Sequence, residues 1–204
     1  GPVWGEAERA RVFTLLRATA RPGGISVISG SQPPGVPVDF PAQLAASMPE
    51  SRIVLDTSGS TLTEAVRHPI PGLEVLRMDG PEGEELAGKP LPTLSDTAQF
   101  AQALVHRGVA KTVIVARGAE GNVLADKDQK LFAKAAKVRV KSTVGAGDSF
   151  VAAFVLALSR GQSNAEALAM GSAAASAAVM TDATQLCRPE DVMRLLPECA
   201  VTPV

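Results

Sequence analysis

The chain has 204 residues, enough for one domain with a sizeable core, and its net charge of −1 gives no basic footprint for nucleic acid or an anionic membrane. No apolar run reaches membrane-spanning length, and the N-terminus does not read as a signal peptide. Two cysteines, Cys187 and Cys199, are too few for a disulfide framework, so a reducing, cytoplasmic setting is the simplest expectation.

In chain order, residues 6–20 predict an amphipathic helix with Val12, Leu15 and Leu16 on one face. Ile25–Ser29 is a short β-rich run between glycines, as expected of a buried parallel strand, and Gly30-Ser31-Gln32-Pro33-Pro34-Gly35 is a loop. A helix over 39–48, a strand over 52–56, an exit loop over 57–60 and a helix to Val66 follow. Residues 73–76 predict a third strand, with 77–82 as a loop leading into a short helix that Gly88-Lys89-Pro90 ends. The helix over 95–107 turns Ala98, Ala101, Leu104 and Val105 inward. Residues 111–116 are the clearest strand; Gly118-Ala119-Glu120-Gly121 turns the chain into another at 122–125, and 131–140 is expected to add one more. Helices are expected over 148–160, 164–180 and 189–196, the last announced by Pro189, Glu190 and Asp191 in its first turn. With no tyrosine and few aromatics, Ala, Val and Leu must fill the core, which suits Ala-rich helices packed closely on a sheet.

Strands alternating with helices predict an α/β fold, a mainly parallel sheet with helices on both faces. Ligands bind such sheets at the carboxyl ends of the strands. The loops at 29–35, 56–60, 77–82, 116–121 and 141–148 all follow expected strands and should converge there. No repeat, low-complexity segment or interdomain linker divides the chain, so 1–204 is read as a single domain.

The stretch Lys141-Ser142-Thr143-Val144-Gly145-Ala146-Gly147-Asp148-Ser149-Phe150 carries the clearest chemistry. Gly-Ala-Gly leaves backbone N–H groups uncovered, and Phe150, Val151, Phe154, Val155 and Leu158 recur at helical spacing, so a helix should begin at Gly147 or Asp148. Free N–H groups at a helix start attract developing negative charge. A carboxylate there makes sense as a proton acceptor for a hydroxyl while the N–H groups hold a phosphoryl group. Asp148 as a plain N-cap is the competing reading, and the residues alone do not choose between them.

Thr143-Val144-Gly145-Ala146-Gly147-Asp148-Ser149-Phe150 resembles the C-terminal signature of the ribokinase-like, phosphofructokinase B (PfkB) family of sugar kinases. The resemblance implies a Rossmann-type sandwich, with Asp148 as catalytic base activating a sugar hydroxyl toward the γ-phosphate of ATP. It makes Gly145, Ala146 and Gly147 the anion hole, with Thr143 beside the nucleotide. Ser29-Gly30-Ser31-Gln32-Pro33-Pro34-Gly35 is similar to the Ser-Gly-Ser-x-Pro-Pro-Gly loop of the 6-phosphofructokinase, 1-phosphofructokinase and tagatose-6-phosphate kinase branch. This gives Gly30 and Ser31 a role at the sugar phosphate; a rigid proline turn is the plain alternative. Asp56-Thr57-Ser58-Gly59 resembles the family's Asp-Thr/Ser-Ser-Gly segment and is taken as a strand-exit turn, with no catalysis assigned to Asp56.

Three segments depart from the family pattern. Arg77, Met78 and Asp79 stand where the family has Lys-Pro-Asn, while Glu82 keeps the Asn-x-x-Glu spacing; the resemblance implies Asp79 and Glu82 near hydrated Mg²⁺, and a solvated acidic helix is the alternative. Ala116-Arg117-Gly118-Ala119-Glu120-Gly121 resembles the Ser-Leu-Gly-x-x-Gly nucleotide loop. It keeps Gly118 and Gly121 and loses the serine hydroxyl at Ala116, for which Arg117 is a candidate replacement at phosphate. Residues 171–178 resemble the helix lining the adenine pocket, with Ser176 near the nucleotide. The following Thr181-Asp182-Ala183-Thr184 departs from Asn-x-Gly-Thr, which puts potassium dependence in doubt.

The resemblance covers the whole chain but only the C-terminal two-thirds of a typical family member. The Gly-Gly-x-x-x-Asn sugar loop and the β-sheet lid are not in it, so the chain is expected to be the ATP-side portion of such a kinase domain, lid absent. Dimerisation would cover a sheet edge that this leaves open. An ATP-dependent kinase for a phosphorylated ketohexose and a catalytically weak nucleotide-binding remnant both fit. A dinucleotide-binding domain is a third and weaker reading, because no Gly-x-Gly-x-x-Gly follows the first strand.

Overall fold

The computed structural model describes residues 1–182 and 185–204, so Ala183 and Thr184 of the potassium-related segment lie outside the described residues. The chain runs α1 (Glu6–Thr19), β1 (Ile25–Ser29), α2 (Phe40–Ala46), β2 (Arg52–Asp56), α3 (Gly59–Arg67), β3 (Val75–Asp79), α4 (Gly80–Ala87), α5 (Leu94–His106) and β4 (Thr112–Ala116). It continues through β5 (Gly121–Ala125), β6 (Lys130–Lys134), α6 (Ala146–Ser159), α7 (Asn164–Ala178), α8 (Pro189–Leu195) and β7 (Val201–Pro203).

The strands form one seven-stranded sheet in the order β1-β2-β3-β4-β5-β6-β7. β1 to β4 are parallel neighbours joined by helical crossovers; β5, β6 and β7 are antiparallel. The α/β class and the helices on both faces are as expected, and the antiparallel third of the sheet is the refinement. Short turns at 117–120 and 126–129 force the chain back on itself, where a parallel return needs a crossover of a dozen residues or more.

Alternation along each strand sorts the core into two layers. Leu55, Leu76, Met78, Val113 and Val115 pack on one face against Phe40 and Leu44 of α2, Leu62 and Val66 of α3 and Leu104 of α5. Val54, Val75, Ile114 and Leu124 pack on the other against Phe150 and Phe154 of α6 and Leu168 of α7. A third cluster joins Ala173, Ala174 and Ala177 of α7 to Val192 and Leu195 of α8, with Cys199 buried among them.

Four expectations are corrected. β3 runs over Val75–Asp79 rather than 73–76, because Arg77 sits in the ladder opposite Asp56 instead of breaking it. The 131–140 strand stops at Lys134, and β7 was not foreseen; it pairs with β6 over three positions. α6 begins at Ala146, not at Gly147 or Asp148. α1 turns Val12, Phe13 and Leu16 toward the core and leaves Leu15 56% exposed.

Candidate active site

The loops after β1, β2, β3 and β4 meet at the carboxyl ends of those strands, as parallel pairing requires. The first two are tied to each other: the Gly30 N–H donates to the Asp56 carbonyl at 2.9 Å, and the Thr57 hydroxyl donates to the Gly30 carbonyl at 3.0 Å. Gly30 has φ 87°, in the left-handed region, and Ser31 beyond it is exposed. The N-terminus of α6 comes down beside this loop, where the Ser29 hydroxyl lies 3.4 Å from Asp148 Oδ1. Residues 119 positions apart thus share one edge of the sheet.

The cap of α6 is Gly145, with φ 79°, which makes Asp148 the third residue of the first turn and removes it from the cap position. Its carboxylate makes no capping bond and is exposed. The Ala146 N–H reaches the Thr143 carbonyl at 3.3 Å, while the N–H groups of Gly147 and Asp148 have no partner among the described residues, as expected of a first helical turn. Free donors, helix dipole and a carboxylate therefore coincide at one point.

Beneath that turn lies Arg77. A Cβ built on Gly147 would stand 2.9 Å from Arg77 Nη1 and 3.3 Å from Cζ and Nη2, so the guanidinium lies against the backbone of this turn and any larger residue there would have to displace it. Arg77 Nη1 donates to Asp56 Oδ1 at 3.0 Å, and the side chains of the pair are 16% and 12% exposed. Arg77 Nε is buried without a hydrogen-bond partner among the described residues. Sequence reading missed this pair. The signal available to it was opposite charge at the carboxyl ends of two successive strands, and it becomes a contact only once the register sets Asp56 beside Arg77.

Asp79 and Glu82 close the first turn of α4 as a capping box: Asp79 Oδ1 accepts from the Glu82 N–H at 2.9 Å, and Glu82 Oε2 accepts from the Asp79 N–H at 2.8 Å. Burial pushes the Glu82 carboxyl up, and the charges of Asp79 and Asp56 add to the effect, against a lowering by the Asp79 N–H and by Arg77. Each carboxylate keeps one oxygen out of the cap. Among the described residues no group of three His, Cys, Asp or Glu side chains forms a metal cage. Two carboxylates completed by waters and phosphate oxygens are the usual protein share of a magnesium site, so the donor set fits that ion.

The turn after β4 is held differently from expectation. The Arg117 guanidinium, a candidate for phosphate, is 11% exposed and bonded to protein: Nη1 to the carbonyls of Leu91 and Thr93 and to Thr97 Oγ1, Nη2 to the Pro92 carbonyl, and Nε and Nη2 to Glu120. Gly118 has φ 56° with open space around it. Gly121 has φ 138°, and a Cβ there would fall onto the Ala133 carbonyl oxygen and stand 2.9 Å from the Ala135 nitrogen. Gly121 is therefore required by the approach of β5 to the end of β6.

These elements wall a cleft of about 830 Å³, within the range of small-molecule sites. Its lining joins Arg77, Asp79, Thr143, Ala146 and Gly147 to the apolar side chains of Ala136, Val138, Val140, Ala175 and Val179. Ser176 borders the cleft but is turned to structural use, donating to the Ser172 carbonyl at 2.9 Å and accepting from the Ala136 N–H at 3.2 Å. Of the residues singled out in the sequence, Thr143, Ala146, Gly147, Asp79, Arg117, Gly118 and Ser176 line this one cleft. Asp148 stands on the same turn of α6 and faces the Gly30-Ser31 loop through Ser29.

The family model for pfkB family carbohydrate kinases matches residues 4–191. An ATP-dependent 6-phosphofructokinase isozyme 2 of Escherichia coli (strain K12) is 36% identical over 175 residues, which cover 85% of this chain and 56% of that protein. A 1-phosphofructokinase of Xanthomonas campestris pv. campestris is 34% identical over 199 residues, 95% of this chain and 59% of that protein. The crystal structure of phosphofructokinase-2 from Escherichia coli in complex with substrates and products matches with a TM-score of 0.88 at 31% identity, over 98% of this chain and 64% of that one. The chain thus spans less than two thirds of the length of each of these proteins.

Proposed function

The chain belongs to the PfkB family of carbohydrate kinases, with the ribokinase-like α/β sandwich of that family, and from this premise we propose that it carries out ATP-dependent phosphoryl transfer to a hydroxyl of a phosphorylated ketohexose. The observation that carries the proposal is the approach of Ser29 to Asp148, which brings the loop assigned to the sugar phosphate against the helix start assigned to the phosphoryl group. In this reading Asp148 takes the proton from the attacking hydroxyl, and the N–H groups of the 145–148 turn donate to the oxygens of the transferring phosphoryl group. Arg77, beside Gly147 and paired with Asp56, brings guanidinium donors to the same point.

Bound ATP would supply the phosphoryl group and Mg²⁺ would neutralise its oxygens. Asp79 and Glu82 are the residues proposed to hold the ion, each through the oxygen that the capping box leaves free. Gly118, Gly121, Thr143 and Ser176 border the proposed nucleotide position, and Gly30 and Ser31 that of the sugar phosphate. The setting proposed is cytoplasmic, and among the described residues no helix is long and apolar enough to cross a membrane. Residues 1–204 are proposed as the ATP-side portion of the kinase domain, and a homodimer is the assembly proposed for it.

A second reading, a nucleotide-binding remnant with weak turnover, is favoured by Ala116 and Asp79 at positions where the family carries Ser and Asn. One experiment separates them. Calorimetry with Mg·ATP is paired with a phosphoryl-transfer assay on fructose 6-phosphate, fructose 1-phosphate and tagatose 6-phosphate. Binding with transfer to one sugar phosphate is the expected result; binding without transfer selects the remnant, and no nucleotide binding overturns both.

A further inference from the structure

Arg117 stands in the turn between β4 and β5, at the boundary between the large cleft and a smaller neighbouring cavity of about 250 Å³. Three facts define it. First, all the donors of its guanidinium are directed to acceptors of the protein, three of them the successive carbonyls of residues 91–93 in the connection between α4 and α5. Second, the bond to Thr97 Oγ1 is short, at 2.6 Å, and Thr97 is itself 1% exposed and donates to the Thr93 carbonyl, so the acceptor is fixed in place. Third, the turn closes on itself around Arg117: its N–H donates to the Gly121 carbonyl at 2.8 Å, its carbonyl accepts from the Glu120 N–H at 3.2 Å, and Glu120 accepts both remaining guanidinium bonds.

A planar fork with five donors can bridge three carbonyls and a carboxylate at once; an ammonium cannot. We propose that Arg117 is a positioning residue, a staple that fixes the 116–121 turn to the 91–97 segment and so sets where Gly118 and Ala119 line the cleft. The proposal rests on the nucleotide reading above for its consequence, and on the hydrogen-bond geometry alone for the staple itself. It replaces direct phosphate contact as the role of this side chain. A guanidinium already serving six acceptors, and itself 11% exposed, would have to break bonds to reach a ligand.

The test compares the wild-type chain with Arg117→Lys and Arg117→Leu. Lysine keeps the charge and loses the fork. Mg·ATP affinity is read by calorimetry, amide hydrogen exchange at residues 91–97 and 116–121 by mass spectrometry, and global stability by Tm. A staple predicts that both variants exchange faster in both segments and bind Mg·ATP about tenfold more weakly, the equivalent of one good hydrogen bond in positioning. Lysine restoring wild-type affinity while leucine loses it means the charge acts on phosphate directly, which overturns the proposal. Unchanged exchange in either segment overturns it as well. If the wild-type chain binds no Mg·ATP, the nucleotide reading fails, and the exchange data decide the staple alone. If Arg117→Leu does not fold, Arg117→Lys is read against the wild-type chain alone: faster exchange in both segments with weaker Mg·ATP binding is expected, and wild-type affinity overturns the proposal.

Discussion

The two ends of the parallel sheet are built from the same strands and treat charge in opposite ways. At the amino ends, Arg52 at the start of β2, Glu74 just before β3 and Lys111 just before β4 form a closed group: Glu74 accepts from Arg52 at 2.8 Å and from Lys111 at 2.9 Å. Burial acts to raise the Glu74 carboxyl, and its two cations outweigh that and hold it below the ordinary range. At the carboxyl ends, Arg77 and Asp79 line the cleft and Asp56, Glu82 and Asp148 stand on the adjoining turns, with one ion pair among the five, an unmet Arg77 Nε and a Glu82 pushed up by burial and by like charge. The amino end satisfies its charges internally; the carboxyl end, apart from the closed Arg117–Glu120 pair, leaves donors and acceptors open. Open polar groups at a cleft are what a ligand can complete, and they persist only because the opposite end and the apolar layers carry the stability.

The strongest way to break this comparison is Asp148→Asn, assayed where phosphoryl transfer to a sugar phosphate is measurable. As the proton acceptor Asp148 is worth about 10²–10⁴-fold in kcat. Since Gly145 is the cap, the fold should lose at most the first-turn charge effect of about 0.3–1 kcal/mol. Full turnover in this variant, with a lowered Tm, would make Asp148 a structural residue of α6.

Next in size is Gly121→Ala, which sets a Cβ against the Ala133 carbonyl in a backbone conformation closed to L-residues. It should cost about 2–4 kcal/mol and lower Tm by about 5–15 °C. Gly118→Ala, with open space around it, should cost about 1 kcal/mol. Equal losses at the two positions would mean that Gly121 is not held by the approach to β6.

The smallest effects sharpen the comparison by pH. Glu74 has its folded pKa lowered, so its contribution is present above the ordinary glutamate range and is lost as pH falls through the folded value. Glu74→Gln should therefore cost about 1–2 kcal/mol at pH 7, and the difference should fade below about pH 4. Glu82 is raised, so its effect has the opposite sign: stability is lost as pH rises from the ordinary value through the folded one. Glu82→Gln keeps an acceptor for the Asp79 N–H and should leave Tm at pH 7 unchanged or slightly higher, while weakening Mg·ATP binding. Thermal melts of both variants across pH 3–8 test the pair of signs, and a Glu82→Gln loss at pH 7 as large as that of Glu74→Gln would erase the distinction between the two ends.

Much of this was legible in the chain itself. The apolar runs 25–29, 52–56 and 112–116 form strands because they are short, β-branched and bounded by turn residues, and local preference suffices for that. Gly145, Ala146 and Gly147 announce a helix start with open N–H groups because that property belongs to the backbone of three small residues in a row. What the sequence could not decide were properties of register and approach. Arg77 reads as a loop residue after a strand ending at 76 until β2 brings Asp56 beside it, and Gly147 reads only as part of an anion hole until the guanidinium lies against it. Arg117 looks like a phosphate ligand, because its chemistry suits one, until the 91–97 segment presents its carbonyls. Residue type fixes what a side chain can do, and local spacing fixes its element. Which of its possible partners it meets depends on distances between segments far apart in the chain, and only the packed sheet sets those.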